Sequence, residues 1–372
     1  MGISTPSFMK KYFTDEEITK LQKKNALHTG QFNELILIRL TKDYKDYPRG
    51  TVFYKGGFIP GYPRIMRVLH LKNGINRYFK DRFYVEEKVD GYNVRIAMID
   101  GNPFAFTRGG FICPFTTNRI PDLIDLNFFH KYPGYIINGE VVGPGSPYNT
   151  EVIPYIKEDV VFFSFDLFDE GGRNLSAEER YRTLEQFKIP HVRKWGPFSI
   201  SDVDTVREVV LELDRDGREG IVAKPIPDGR PIKYVTLSSC LRDLQATANL
   251  ITELPAGFYI QRILRAIFFC YEFGISLDDH YLLESAKALY LSPERVLKEV
   301  ADGGNVRESF QIKIRNKNTT YELMEHLNRS GVSTKLLSVE KTDDYYSSKF
   351  HRIYTRGTRE IRHRLMGHGF FD

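Results

Sequence analysis

The sequence predicts an α+β protein built on mixed, largely antiparallel sheets, and three observations carry that expectation. Between residues 64 and 243 six stretches have strand character: 83-FYVEEK-88, 93-NVRIAMI-99, 135-YIINGEVV-142, 160-VVFFSFDLF-168, 220-GIVAK-224 and 231-PIKYV-235. Each alternates or runs apolar and is bounded by turn chemistry. The tetrapeptide 100-DGNP-103 is a hairpin turn, which pairs consecutive strands antiparallel. Helical signals interrupt this run only twice, at the capping box Ser176-x-x-Glu179 and over 202–214, ahead of the turn 214-DRDG-217.

Four segments are expected, that core among them. Residues 1–63 form an N-terminal module, with a helix opened by the capping box Thr14-Asp-Glu-Glu17, strands at 34–40 and 51–56, and the Gly/Pro-rich punctuation 56-GGFIPGYPR-64. The β-rich domain covers 64–243. From 244 to 312 the period turns helical: Ile260, Ile263, Leu264, Ile267, Phe268 and Tyr271 form one stripe, and Ser292-Pro293 caps and opens a further helix. Residues 313–372 make a small α/β module, with a helix opening at the capping box Thr319-x-x-Glu322 and stopping near Gly331.

Composition bounds the function. Apolar residues at 41% and aromatics at 13% exclude a disordered chain. A net charge of +5 permits a polyanionic partner without requiring one. Cys113, Cys240 and Cys270 lie far apart without a C-x-x-C pair, so neither a disulfide framework nor a zinc site is expected. The start of the chain carries no apolar signal segment, Pro6 stands where a myristoylation signal needs Ser or Thr, and apolar runs such as 266-AIFFCY-271 are too short for a bilayer. A cytoplasmic protein without membrane contact is the expectation.

The stretch 86-EEKVDGYNVR-95 places Lys88 at a strand end, directly before an Asp-Gly turn. A lysine becomes a nucleophile when its amine is neutral, and nearby cations or desolvation favour that state. Lys224 and Lys233, on two other strands, are the candidate cations. Alone, Lys88 reads as a surface lysine. In order along the chain, however, come 88-KVDG-91, 106-FTRGG-110, 139-GEVVG-143, 162-FFSFDLFD-169, 219-EGIVAK-224 and 232-IKYV-235. These resemble motifs I, Ia, III, IIIa, IV and V of the covalent nucleotidyltransferases, the superfamily of ATP-dependent DNA and RNA ligases and mRNA capping enzymes. Six motifs in register are specific where one is not.

That resemblance implies an ATP-grasp-like ligase catalytic domain and a set of roles. Lys88 would take AMP from ATP, with Lys224 and Lys233 on the α-phosphate. Phe163, or a neighbour in 162-FFSF-165, would stack on the purine, and Glu87 would accept from its amino group. Asn93 and Arg95 fall in the nucleotide-binding string, Arg108 would meet ribose or phosphate oxygens, and Glu140 would bind ribose or a metal. Glu219 is the expected carboxylate for Mg2+ or Mn2+. Asp166 reads equally as a functional or a buried structural carboxylate.

Asn93 stands where DNA ligases and capping enzymes commonly carry Arg, and the chain turns helical after residue 243 where those enzymes place an oligonucleotide-binding barrel. Over 64–243 the chain therefore resembles the archaeal-type, homodimeric, ATP-dependent RNA ligases. The implied reaction joins a 5′-phosphate to a 3′-hydroxyl of single-stranded RNA, circles included, through lysyl-AMP and RNA-adenylate. DNA ligation and a non-catalytic nucleic-acid-binding role are the competing readings. Residues 250–312, with Phe269 and Phe273 adding a second apolar face, are the expected dimerisation segment. The basic tail 349-KFHRIYTRGTREIRHRLMGHGF-370, with Phe350 and Tyr354 interleaved, reads as an RNA-binding surface or as a solvated helix. Its histidines have no ligand spacing.

Overall fold

Strands end where the turn residues stand. The structure, a computed structural model, describes residues 6–32, 34–148, 153–226 and 229–369; Phe370 of the basic tail lies outside them. The chain divides into two compact units that share the sequence in turns. One comprises Met1–Arg64, Tyr92–Val141 and Phe162–His191; the other comprises Ile65–Gly91, Val142–Val161 and Val192–Asp372.

The first unit holds two four-stranded sheets. In one, the strands Leu27–Phe32, Leu35–Leu40, Val52–Tyr54 and Gly57–Ile59 follow one another. The helix Asp15–Lys23 packs Ile18 and Leu21 with Met9, Phe13, Ile38 and Phe53, and its capping box at Thr14 and Glu17 is formed. The second sheet runs Val161–Phe168, Ile136–Val142, Tyr92–Ile99, Asn102–Thr107. Its hairpin turns on Asp100 and Gly101, at φ 48° and 77°. Two successive positive φ values are what a tight two-residue hairpin needs, and Asp-Gly supplies them.

The second unit is organised by a five-stranded sheet, ordered Lys194–Phe198, Phe83–Lys88, Gly220–Pro225, Ile232–Val235, Met66–Arg67. Its pairings are antiparallel except for the last, which sets Lys233 beside Arg67 in parallel. Alternation sends Phe83, Val85, Ile221, Ala223, Ile232 and Tyr234 to one face, where Leu71, Ile75, Val206, Val210, Leu213 and Phe269 cover them. The opposite face therefore receives Glu86, Lys88, Lys224 and Lys233. Burial of one face fixes the register, and the register places the charged face.

Beyond this sheet three local expectations are corrected. The helix Asp279–Ala301 runs straight through Ser292-Pro293 instead of restarting there. Ala288 packs on one side of the proline and Val296 and Val300 on the other, so tertiary burial carries the helix past the missing N–H. The helix expected to be capped by Thr319 is Asn318–Arg329, with Lys317 at its N-cap and no side-chain cap; Thr319 lies inside its first turn and is buried. In the helix Ala256–Phe273 the buried residues are Tyr259, Ala266, Phe269 and Cys270, whereas Ile260, Ile263, Ile267 and Tyr271 of the expected stripe are exposed. Phe269 belongs to the sheet core with Phe273 packed against it, so neither presents a second outer face.

The C-terminal sheet orders Arg307–Ile314, Tyr346–Ile353, Ser333–Lys341, so the tail supplies its central strand and then the helix Thr355–Leu365. Phe350 is fully buried and stacks on Phe310 at 5.2 Å, and the Tyr354 hydroxyl bonds Glu308. The interleaved aromatics are core residues, not base-stacking platforms. All three cysteines are buried and unbridged. Among the described residues no helix is long and apolar enough to cross a membrane.

Candidate active site

Lys88 closes its strand ahead of Val89-Asp90-Gly91, and its Nζ lies 2.5 Å from Glu219 Oε1. Gly220, directly opposite Lys88 in the register, makes that approach possible. It sits at φ 148°, and a Cβ there would run into the Tyr234 carbonyl. Any other residue would push the strands apart and carry Glu219 with them. Burial raises the Glu219 carboxyl to about 7, the charge of Asp90 adds to the rise, and Lys88 opposes it. The other oxygen, Oε2, is buried with no hydrogen-bond partner. A carboxylate with one oxygen on the lysine and one unsatisfied fits a proton acceptor and a ligand to a divalent cation. Among the described residues no three His, Cys, Asp or Glu side chains gather as a metal-binding group.

Lys224 Nζ pairs with Glu86 Oε2 at 2.6 Å, with both groups largely buried. Val222 stands between Glu86 and Lys233 in the register, so Lys233 is on the same face one strand further. The structure thus brings Lys88, Glu219, Lys224 and Lys233 onto one sheet surface. Glu87 is not among them. Strand alternation turns it the other way, and its two oxygens are taken by Arg193 at 2.7 Å and Arg218 at 2.9 Å. The Arg218 guanidinium in turn lies 3.6 Å from the centre of the Tyr155 ring. Glu86 shares the Lys88 face, as the period-two rule applied to 86-EEK-88 requires.

On the other unit, Asn93 and Glu140 are register partners on adjacent strands, and Asn93 Oδ1 is buried without a hydrogen-bond partner. Arg108 is exposed at the strand end, one N–H donating to the Pro63 carbonyl at 3.4 Å. Phe163 is half-buried, while Phe162 packs against Gly139 and is 1% exposed, which removes Phe162 from the stacking candidates. Arg95 is corrected from a nucleotide contact to a structural residue. It is fully buried, it donates to the carbonyls of Pro60 and Thr107, and burial depresses its guanidinium to about 9. Asp166 is structural too, held by the Tyr62 hydroxyl at 2.6 Å, Asn174 at 2.9 Å and Arg180 at 2.8 Å.

The RNA ligase family profile matches residues 81–235, and that of the ligase Pab1020 C-terminal region matches 246–368. Among solved structures, a putative ATP-dependent DNA ligase from Aquifex aeolicus is 35% identical and superposes with a TM-score of 0.90, over 96% of this chain and 100% of that one. An archaeal ATP-dependent RNA ligase is 29% identical with a TM-score of 0.88, over 98% of this chain and 100% of that one. An uncharacterized protein of Methanocaldococcus jannaschii is 29% identical over 342 residues, 88% of this chain and 86% of that protein. The fold and the profile define a ligase with the α+β architecture of the archaeal ATP-dependent RNA ligases. The chain belongs to the RNA ligase family.

Proposed function

We propose that this ligase joins the 5′-phosphate of single-stranded RNA to a 3′-hydroxyl at the expense of ATP, with Lys88 carrying AMP. The observation that supports this most is the Lys88–Glu219 contact of 2.5 Å on a face shared with Lys224. The ammonium must lose a proton before it can attack, and Glu219 Oε1 is placed to accept it, its carboxyl being basic enough near neutral pH. The Lys88 nitrogen then bonds the α-phosphorus while the α–β bridge breaks and pyrophosphate leaves. The RNA 5′-phosphate oxygen displaces Lys88 from the same phosphorus, giving RNA-adenylate. The 3′-hydroxyl attacks the activated phosphate, and AMP leaves. Lys224 and Lys233 stabilise charge on the phosphate oxygens. Glu219 would hold Mg2+ or Mn2+, which would neutralise phosphate charge when bound. Asn93, Arg108, Glu140 and Phe163 keep the nucleotide roles given above.

The test is incubation with labelled ATP and Mg2+, followed by 5′-phosphorylated single-stranded RNA, the same sequence as DNA, and nicked duplex DNA. Label retained on denatured protein and passed to RNA, with circles among the products, supports the reading. The 35% identity to a putative DNA ligase is the observation that favours the alternative, and equal sealing of nicked DNA would establish it.

A homodimer through the helical segment is part of this proposal. Ile260, Ile263, Ile267 and Tyr271 on one helix, with Tyr290 and Leu291 on the next, are all exposed. A run of large apolar side chains on neighbouring helices exceeds the isolated exposure ordinary for a surface. Phe269 and Phe273 cannot test it, because they hold the monomer core. Ile267→Glu with Tyr271→Glu should instead halve the mass seen by light scattering while leaving the fold intact. The tail is likewise proposed to bind RNA backbone, through the exposed Lys349 and Arg359.

A further inference from the structure

The inward side of the helix Ala256–Phe273 is unusual in carrying Arg262 and Arg265 beside its apolar residues. Arg262 Nε lies 2.7 Å from Asp243 Oδ2, and Arg265 shares that same oxygen at 3.9 Å. Arg265 Nε is buried with no acceptor. The third member is Arg67, on the edge strand of the five-stranded sheet, register partner of Lys233 and hence on the Lys88 face. Its guanidinium makes no ion pair among the described residues, and its NH1 is buried without an acceptor. The charged and titratable groups that act on Arg67 are Glu219, Cys240, Asp243 and Arg262. Asp243 in turn acts on Glu219, together with Asp90 and Lys88, which ties the cluster to the nucleophile.

Arg262 and Arg265 share the single carboxylate of Asp243, and the carboxylate of Glu219, which also acts on Arg67, is already paired with Lys88, so the cluster keeps an excess of positive charge, half-buried and incompletely hydrogen-bonded. Chains seldom hold cations this way unless an anion completes the set. Burial already works against the charges, lowering Arg67 and bringing Arg265 to about 10, with Arg67 and Arg262 adding to that fall. Guanidinium forks match the oxygens of a tetrahedral phosphate, and the excess positive charge matches an anion.

We propose that Arg67, Arg262 and Arg265 form a phosphate-binding subsite beside Lys88 and Glu219 that takes the terminal phosphate of a reactant. Two reactants present that chemistry: the pyrophosphate end of ATP and the 5′-phosphate end of the RNA. The assignment of reactants rests on the ligase reading above. The subsite itself does not, since anion binding is measurable without catalysis.

The test uses the full chain and the variants Arg67→Met and Arg265→Met, which keep the side-chain stem and remove the charge. Inorganic pyrophosphate, followed by thermal shift and calorimetric titration, should raise the melting temperature of the parent protein and bind about tenfold more weakly to each variant. Without ligand, the Arg67→Met melting temperature should stay level or rise, because a buried cation lacking a partner has gone; a purely structural arginine would lower it. A tenfold higher ATP requirement for Lys88 labelling assigns the site to the nucleotide. Loss of the preference for 5′-phosphorylated over 5′-hydroxyl RNA assigns it to the RNA end. Pyrophosphate affinity and 5′-phosphate preference both unchanged in Arg67→Met would overturn the proposal, as would a parent protein that binds neither. Failure of Lys88 to label, with pyrophosphate binding intact and arginine-dependent, would count against the ligase reading alone.

Discussion

Asp166 and Glu219 are both buried carboxylates facing a cation, one in each unit, and they are finished differently. Asp166 meets Arg180 and also accepts from Tyr62 and Asn174, so both its oxygens are satisfied. Glu219 meets Lys88 with one oxygen and leaves the other without a hydrogen bond. A closed network specifies structure, whereas an open one keeps capacity for a ligand or a proton. Arg95 and Arg67 repeat the lesson among arginines. Arg95 places both terminal nitrogens on backbone carbonyls and leaves only Nε without an acceptor, whereas in Arg67 a terminal nitrogen is the one left without.

The comparison breaks if the open carboxylate proves inert. Glu219→Gln should slow Lys88 adenylation by about 10²–10⁴-fold, the range for losing a positioned base. The pH profile sharpens this. With its carboxyl raised to about 7, Glu219 is protonated and inert below that pH, so adenylation should climb as pH rises through 7, and the glutamine variant should lose that limb. Single-turnover labelling from pH 5.5 to 8.5, a range of about three units centred on that value, checks both.

Asp166→Ala should instead act on stability, costing about 3–5 kcal/mol because Arg180 is left buried and uncompensated. Denaturant titration measures it, and an adenylation defect without loss of stability would show that Asp166 is functional after all. Tyr62→Phe removes only one charge-assisted hydrogen bond and should cost about 1.5–3 kcal/mol by the same assay. The smallest expected change is in the tail. Lys349→Ala with Arg359→Ala should reduce the salt slope of RNA binding by about one to two counterions and leave adenylation unchanged. Point substitutions are needed there, since deleting beyond residue 345 would remove the central strand of the C-terminal sheet.

Much of this was legible in the residues because local chemistry and tertiary structure agree. The break at 88-KVDG-91, the hairpin at Asp100-Gly101 and the capping boxes at Thr14 and Ser176 are local, and each formed. What misled was a choice of face. The helix Ala256–Phe273 has an outer stripe of isoleucines and an inner one broken by Arg262, Arg265 and Glu272, so apolar periodicity pointed outward. Glu272 sits inside because its carboxylate accepts from the backbone N–H groups of Leu71 and Lys72, capping a helix about two hundred residues away in sequence. The partners of Glu87 were hidden for the same reason: Arg193 and Arg218 reach it only once the strands pair.

The most direct measurement is to react the protein with ATP and Mg2+, digest it, and locate the added AMP by mass spectrometry. The account predicts a phosphoramidate on Lys88 alone, absent from Lys88→Ala, while that variant still seals RNA supplied with a 5′-adenylate. AMP on Lys224, Lys233 or any other residue, or undiminished labelling of Lys88→Ala, would contradict it.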